Sequence, residues 1–286
     1  MVLVDPDGPI GIFDSGLGGL SVAREVRRLL PREPLLYLGD NLHIPYGPRP
    51  VEQIRTFSVA ITRYLIDVGR CRCIVVACNT ATSAAVPLLR ETFPMLPIVG
   101  MEPGIKPAAA MTRSGKVAVL ATMGTLAGSR LACLVERFAG GIEVLTRPCP
   151  GWVECVERGE IDRPETVEMV KEVVLPLLAE GADTLILGCT HYPFLLPVLQ
   201  GILPPHVRIV DTGPAVARRV AAVLPVSKDV TASPVPTWRL LTTGDRTNVR
   251  NAARYCLGEG FDAIDGVSTL RWAEDGKRLM AGQSTN

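Results

Sequence analysis

The sequence carries almost no net charge and no export signal. Its 30 basic and 29 acidic residues leave a formal net charge of +1. This balance removes the electrostatic reason to expect a dedicated nucleic-acid-binding or membrane-surface protein. Residues 1–7 contain neither a basic stretch nor the apolar core of a signal peptide, so we expect a protein that is not exported.

No uninterrupted apolar run is suited to a membrane span. The longest stretch without charged residues covers 24 residues, 184–207, but it contains four prolines and divides into a strand, a turn and a helix. We therefore expect a cytoplasmic protein without membrane contact, whose cysteines are thiols and not disulfides. The eight cysteines are at positions 71, 73, 78, 133, 149, 155, 189 and 256.

The motifs of several enzyme and metal-site classes are also missing. Zinc sites and dithiol redox centres usually draw on Cys-x-x-Cys pairs, which the sequence lacks, and its three histidines are at positions 43, 191 and 206. A zinc site made of Cys78, Cys189 and His191 stays open as an alternative. A Ser-His-Asp triad is not favoured, because the sequence has no Gly-x-Ser-x-Gly nucleophile elbow.

The sequence does contain alternating apolar strands and amphipathic helices. With 286 residues, of which 47% are hydrophobic, it can form one large or two modest domains. Apolar residues recur at helical spacing in 51–69 and 164–180. The alternation predicts an α/β fold of mostly parallel sheets flanked by helices, with the ligand beyond the carboxyl ends of the strands. The predicted strands are 10–13, 35–38, 74–77, 117–120, 184–187 and 207–210.

An internal repeat divides the chain into two similar parts. Cys78 and Cys189 each follow an apolar strand, lie 111 residues apart, and precede an Ile-Val pair by 20 residues and a proline by 25. We therefore expect two similar lobes related by a pseudo-twofold axis, with one cysteine on each wall of the cleft between them. Chance similarity between strand-turn-helix segments is the alternative.

Three turns at the predicted strand ends carry residues suited to chemistry. Backbone N–H groups of the glycine-rich turn 14–19 would bind a carboxylate or phosphate, although Asp14 disfavours phosphate and suits an ammonium group or a thiol. Cys78 and Cys189 each lie at a predicted helix start, which favours the thiolate. The alternatives are a tight turn capped by Asp14, and cysteines that act only as small buried apolar residues.

Two thiols that face each other across a cleft suit the inversion of a stereocentre. One removes a proton from one face of a carbon atom, the other delivers a proton to the opposite face, and the roles exchange in the reverse reaction. Hydroxyl-rich turns at helix starts would hold an amino acid in a fixed pose between them.

Four motifs resemble those of the glutamate racemase family in order and spacing, and the resemblance covers about residues 8–260. It implies interconversion of L- and D-glutamate without a cofactor or a metal ion, and a supply of D-glutamate for peptidoglycan. The motifs are Ile12-Phe13-Asp14-Ser15-Gly16-Leu17-Gly18-Gly19, Ile44-Pro45-Tyr46-Gly47, Ala77-Cys78-Asn79-Thr80-Ala81-Thr82 and Gly188-Cys189-Thr190-His191-Tyr192-Pro193.

The resemblance also implies roles for individual residues. Cys78 would act on D-glutamate with help from Asp14, and Cys189 on L-glutamate with help from His191. A family glutamate assists near the second cysteine. Glu157 matches its position best, and Glu154 and Glu160 are alternatives because residues 149–157 depart from the more apolar family pattern. Substrate binding is implied for Asp14, Ser15, Tyr46, Gly47, Asn79, Thr80, Thr122, Thr190 and His191.

The family pattern further implies the lobe boundaries. The first lobe would comprise residues 1–101 and 213–286, with a late strand ending near Thr242, and the second lobe residues 102–212. Members of the family commonly form homodimers, in differing arrangements. A racemase of aspartate or another amino acid is the alternative with the same chemistry, and a noncatalytic amino-acid-binding protein is the alternative from another class.

Overall fold

The chain forms two mostly parallel sheets. The computed structural model describes residues 5, 7–224 and 238–282. The expectation of no export signal rests partly on residues 1–4 and 6, which lie outside this range. Two further segments of the predicted first lobe, 225–237 and 283–286, also lie outside it. The strands are β1 (Ile10–Asp14), β2 (Leu35–Gly39), β3 (Cys73–Val76), β4 (Ile98–Gly100), β5 (Lys116–Ala121), β6 (Glu143–Pro148), β7 (Thr184–Leu187), β8 (Arg208–Val210), β9 (Trp238–Thr242), β10 (Ile264–Trp272) and β11 (Leu279–Ala281).

The strand order confirms the internal repeat. One sheet has the order β11-β10-β9-β2-β1-β3-β4, and the other has the order β6-β5-β7-β8. The parallel segments β2-β1-β3-β4 and β6-β5-β7-β8 have the same order, so each strand from β1 to β4 has an equivalent among β5 to β8. The predicted α/β fold of two similar lobes is therefore confirmed. β9 ends at Thr242, as the late strand was expected to do.

Helices connect the strands and cover the sheets. The two segments with helical spacing form α2 and α8, close to their predicted bounds. The helices are α1 (Leu20–Leu29), α2 (Val51–Asp67), α3 (Asn79–Thr92), α4 (Ile105–Met111), α5 (Met123–Leu126), α6 (Ser129–Phe138), α7 (Trp152–Glu157), α8 (Pro164–Ala179), α9 (Leu196–Ile202), α10 (Gly213–Val223) and α11 (Arg246–Leu257).

The central strands are buried along their whole length. Every residue of β1, β2, β3 and β7 is buried, which explains why these segments read as continuous apolar runs and not as alternating patterns. No helix in the described ranges has the length and apolar composition needed to cross a bilayer.

The two cysteine turns differ in their local structure, which corrects the expectation of two alike helix starts. Cys78 is the N-cap of α3. Cys189 is followed by a 3₁₀ helix, Tyr192–Leu195, before α9 begins. Pro197, in the first turn of α9, has no N–H to bond the carbonyl of Pro193, which disfavours an α-helix that extends back through this turn. Stabilisation of a thiolate by an α-helix N-terminus therefore applies to Cys78 only.

Asp183 fixes the loop that leads into β5. Its carboxylate accepts hydrogen bonds from the Thr112 and Thr184 hydroxyls and from the N–H groups of Arg113 and Ser114, at 2.6–2.9 Å. Burial alone would raise the pKa of Asp183, but these hydrogen bonds outweigh it and hold the pKa well below its usual range.

We expect Asp183→Asn to lower the free energy of unfolding at pH 7 by about 1–3 kcal/mol, because an amide cannot accept all four hydrogen bonds. Since the folded pKa is depressed, the contribution is fully present above the unfolded value of about 3.9 and is lost as the pH falls further. Urea unfolding from pH 8 to pH 3 measures the difference, with Asp262→Asn on the exposed surface as the control. Equal midpoints for the variant and the unaltered chain at pH 7 would contradict the assignment.

Candidate active site

The segments that follow β1, β2, β3, β5, β6 and β7 surround one small cavity, because the carboxyl ends of parallel strands share one sheet edge. Its volume is about 20 Å³, enough for roughly one water molecule. All the residues assigned above to substrate binding line it, together with both cysteines. The lining residues are Asp14, Ser15, Pro45, Tyr46, Gly47, Cys78, Asn79, Thr80, Thr122, Thr125, Val153, Gly188, Cys189, Thr190 and His191.

Asp14 lies at the end of β1, completely buried between the two cysteine turns. One carboxylate oxygen accepts hydrogen bonds from the Gly19 N–H (2.7 Å) and the Thr190 hydroxyl (3.4 Å). Burial raises the pKa of Asp14, while the charge of His191 and the N–H groups of Gly19 and Ser15 oppose the shift. The first wall therefore presents a carboxyl group that holds its proton more readily than usual.

The glycine-rich turn receives groups from the opposite wall. The Leu17 N–H donates to Glu157 Oε1 at 2.5 Å, so the carboxylate expected at this turn belongs to the protein itself. A Cβ atom on Gly16 would overlap the Glu157 carboxylate, and one on Gly18 would overlap the His191 ring. The glycines are needed here because the second lobe packs against their backbone.

Cys78 is buried at the N-terminus of α3. Its Sγ accepts the Ala81 N–H at 3.4 Å and lies 4.0 Å from the Ser15 hydroxyl. Burial, and then the negative charge of Asp14, raise the pKa of the Cys78 thiol well above its usual range, while the Ala81 N–H opposes the shift. Without a ligand, Cys78 is therefore a protonated thiol at neutral pH.

Cys189 has a different neighbour, the buried imidazole of His191. His191 Nδ1 lies 3.6 Å from Cys189 Sγ, and His191 Nε2 lies 2.6 Å from Glu157 Oε1. Burial alone would lower the pKa of His191, but its hydrogen bonds to Cys189 and Glu157 outweigh burial and raise the pKa well above the usual range. The Cys189 sulfur thus lies beside an imidazole that holds its proton and positive charge more readily than usual.

Hydroxyl and amide groups complete the cavity. The hydroxyls of Thr80, Thr122 and Thr125 form a triangle with sides of 3.0–3.3 Å. Asn79 is buried, and neither side-chain amide atom has a hydrogen-bond partner among the described residues. A buried amide without a partner is costly, and a polar ligand in the cavity would satisfy it.

The structure separates the three candidate glutamates. Glu157 contacts His191, whereas Glu154 is exposed and Glu160 pairs with Arg158 and Arg163. His206 is exposed, whereas His43 is half-buried and stacks on Phe57. No group of three or more histidine, cysteine, aspartate or glutamate residues in the described chain is arranged to hold a metal ion.

Four residues near the cavity were missed by the sequence analysis. Thr125 and Val153 line it. Asp40 accepts hydrogen bonds from the Tyr46 hydroxyl (2.7 Å), the Thr243 hydroxyl (2.8 Å) and the Trp272 ring N–H (2.9 Å). Asn41, next to it, donates to Glu157 at 2.9 Å. Of these four residues, only Thr125 had a local sequence signal, because the Thr122-x-x-Thr125 spacing is typical of a helix start.

A sequence model of the Asp/Glu/hydantoin racemases matches residues 11–220. The chain belongs to this racemase family. It is 52% identical over 251 residues to a glutamate racemase of Ectopseudomonas mendocina, covering 88% of this chain and 95% of the relative. Such similarity to curated glutamate racemases places it among the glutamate racemases, which are isomerases.

Solved racemase structures have the same fold. The Bacillus anthracis glutamate racemase isoform RacE1 superposes with a TM-score of 0.80 at 33% identity, covering 94% of this chain and 99% of that one. The Escherichia coli glutamate racemase, solved with L-glutamate and the activator UDP-MurNAc-Ala, also has a TM-score of 0.80, at 34% identity, covering 92% of this chain and 98% of that one. The fold expected from the four motifs is thus confirmed.

Proposed function

We propose that this racemase inverts glutamate with its two cysteines as opposed acid and base. The observation that carries the proposal is the pair of thiols at equivalent strand ends of the two sheets, lining one cavity, each with a different charged neighbour. Binding of L-glutamate by the E. coli relative supports glutamate as the substrate.

The proton transfers balance in both directions. Starting from L-glutamate, the Cys189 thiolate removes the α-proton, and the Cys78 thiol donates its proton to the opposite face of the carbanion. This leaves D-glutamate, a Cys189 thiol and a Cys78 thiolate, and exchange with solvent restores the starting state. Starting from D-glutamate, the same steps run in reverse. The imidazolium of His191, held by Glu157, stabilises the Cys189 thiolate when it forms.

The substrate ammonium group supplies the positive charge that the Cys78 wall lacks. Among the described residues that line the cavity there is no lysine or arginine, while Asp14 and Cys78 are both buried acids with raised pKa values. A bound ammonium group lowers both pKa values, because an opposite charge favours the ionised forms. Cys78 thus becomes a base only when the substrate is present.

Hydroxyl and N–H groups would bind the two carboxylates. The three threonine hydroxyls bond one another, and each can turn its one proton from a neighbouring threonine to a carboxylate oxygen. Asn79 offers an unpartnered amide. We assign substrate binding to these groups together with Asp14, Ser15, Tyr46, Gly47, Thr190 and His191. Aspartate is one methylene shorter, so we expect it to leave at least one of these donors unpaired.

Turnover of glutamate and aspartate, followed by polarimetry, tests the substrate. We expect the kcat/KM for glutamate to exceed that for aspartate by at least about 10-fold, the discrimination typical of one methylene. Activity should need no added cofactor and should survive a chelator, since all proton transfers use protein groups. Faster inversion of aspartate, loss of activity on chelation, or binding of glutamate without turnover would each overturn part of the proposal.

Several expectations remain predictions. They are the supply of D-glutamate for peptidoglycan, a cytoplasmic location, a homodimer, and lobe boundaries after residues 101 and 212. The boundaries agree with the division of strands, because β4 ends at Gly100 and β8 at Val210.

A further inference from the structure

We propose that Asn41 is a positioning residue for the racemisation. It holds the Glu157 carboxylate against the His191 imidazole and thereby holds the imidazole against Cys189. This inference rests on the proposed two-cysteine mechanism. It adds a residue from the opposite lobe whose hydrogen bonds lead to Cys189 and not to Cys78.

The Glu157 carboxylate has partners from both lobes. Its Oε1 accepts the Leu17 N–H at 2.5 Å and contacts His191 Nε2 at 2.6 Å, and its Oε2 accepts the Asn41 amide at 2.9 Å. Leu17 and Asn41 follow β1 and β2, whereas Glu157 ends α7 after β6. Asn41 is therefore the side chain of the first lobe that fixes the second carboxylate oxygen.

The orientation of the Asn41 amide is itself fixed. Its Oδ1 accepts the Thr242 hydroxyl at 2.8 Å, and the Thr242 oxygen accepts the Gly244 N–H at 2.9 Å. Thr242 is completely buried at the end of β9, so its hydroxyl proton has no water to bond. The hydroxyl therefore donates its one proton to Asn41. The amide nitrogen must then point toward Glu157, because a flipped amide would place an oxygen against the carboxylate.

A chain of hydrogen bonds thus runs from Thr242 through Asn41, Glu157 and His191 to Cys189. Cys78 has a separate set of partners, namely Ser15, Ala81 and Asp14. The charges of His191 and Glu157 reach Cys78 only indirectly, through Asp14 and Cys189. Loss of Asn41 should therefore impair proton removal by Cys189 much more than proton removal by Cys78.

Racemisation rates cannot reveal this asymmetry. The two enantiomers are equally stable in water, so the equilibrium constant is unity and kcat/KM is the same in both directions for every variant. A one-sided reaction avoids the constraint. In a glutamate analogue with chlorine at Cβ, removal of the α-proton expels chloride and forms a double bond between Cα and Cβ, and no second proton donor is needed.

The test measures chloride release from the L- and D-analogues by Asn41→Leu, which keeps the approximate volume and removes the donor. We expect release from the L-analogue to fall roughly 10–100-fold, the effect of losing a hydrogen bond to a charged group, with release from the D-analogue changed less than about 2-fold. Asn41→Asp, which places a second carboxylate beside Glu157, should lose more. Leu42→Ala, at an exposed neighbour, is the matched control.

Two outcomes distinguish this proposal from the mechanism on which it rests. Equal losses for both analogues, or none for either, in the Asn41 variants would overturn the positioning role. If Cys78→Ser and Cys189→Ser themselves fail to separate the two analogues, the two-cysteine mechanism is wrong.

Discussion

Cys78→Ser and Cys189→Ser are each expected to lower the racemisation of glutamate by on the order of 10²–10⁴-fold, the usual contribution of a positioned acid or base. Serine occupies the space of cysteine, but its hydroxyl is far too weak an acid to provide a base near neutral pH. Both variants lose inversion in both directions, because each direction needs one residue as base and the other as acid. The fold should be retained, and circular dichroism checks this.

The chlorinated analogues show which cysteine acts on which enantiomer. Cys78→Ser keeps Cys189 and should release chloride from the L-analogue only, whereas Cys189→Ser should release chloride from the D-analogue only. Alkylation of the unaltered enzyme should inactivate it, and glutamate should protect, because both thiols line the cavity that we propose as the substrate site. If either serine variant racemises glutamate at near the normal rate, the two-cysteine mechanism is wrong.

Most of the fold could be predicted from the sequence because its strongest signals are local. Buried parallel strands are continuous apolar runs, so β1, β2, β3, β5, β7 and β8 were recognised, whereas the three-residue strand β4 was not. The regular apolar spacing of α2 and α8 was recognised as well. β6 was missed because its residues are exposed or half-buried at a sheet edge. β10 was missed for a similar reason. All but one of its residues are exposed or half-buried, so it has no continuous apolar run.

The residues around the cavity also divide into those with a local sequence signal and those without one. Cys78, Asn79 and Thr80 follow a buried strand and begin a helix, so their place could be read from the chain itself. Asn41 and Asp40 could not be found so easily, because their roles come from residues more than 100 positions away, Glu157 and Thr243. Knowledge that β2 lies between β1 and β9 would have placed both residues at the correct sheet edge.

The glycine-rich turn was interpreted correctly as a carboxylate site but not as the site of a protein carboxylate. The glycine-rich pattern indicates a turn with free N–H groups, but it does not identify the side chain that accepts hydrogen bonds from them. The close approach of His191 and Glu157 to the turn is a contact between lobes, which depends on how the lobes pack.

Gly18→Ala should lower racemisation by about 10²-fold, although it adds a single methyl group. The new Cβ would overlap the His191 imidazole, which is buried and therefore must shift relative to Cys189. A displacement of about 1 Å in a catalytic group can cost about 10²-fold. Chloride release from the L-analogue should fall with it, whereas release from the D-analogue, which depends on Cys78, should be largely retained.

Gly140→Ala is the matched control for this variant, because a Cβ atom at Gly140 meets no atom within 4 Å. It should leave both reactions unchanged, so a general effect of replacing glycine by alanine can be separated from displacement of His191. Gly16→Ala should resemble Gly18→Ala, since its Cβ would overlap the Glu157 carboxylate that holds the imidazole. Normal chloride release from the L-analogue by Gly18→Ala would mean that the position of His191 does not control the reactivity of Cys189.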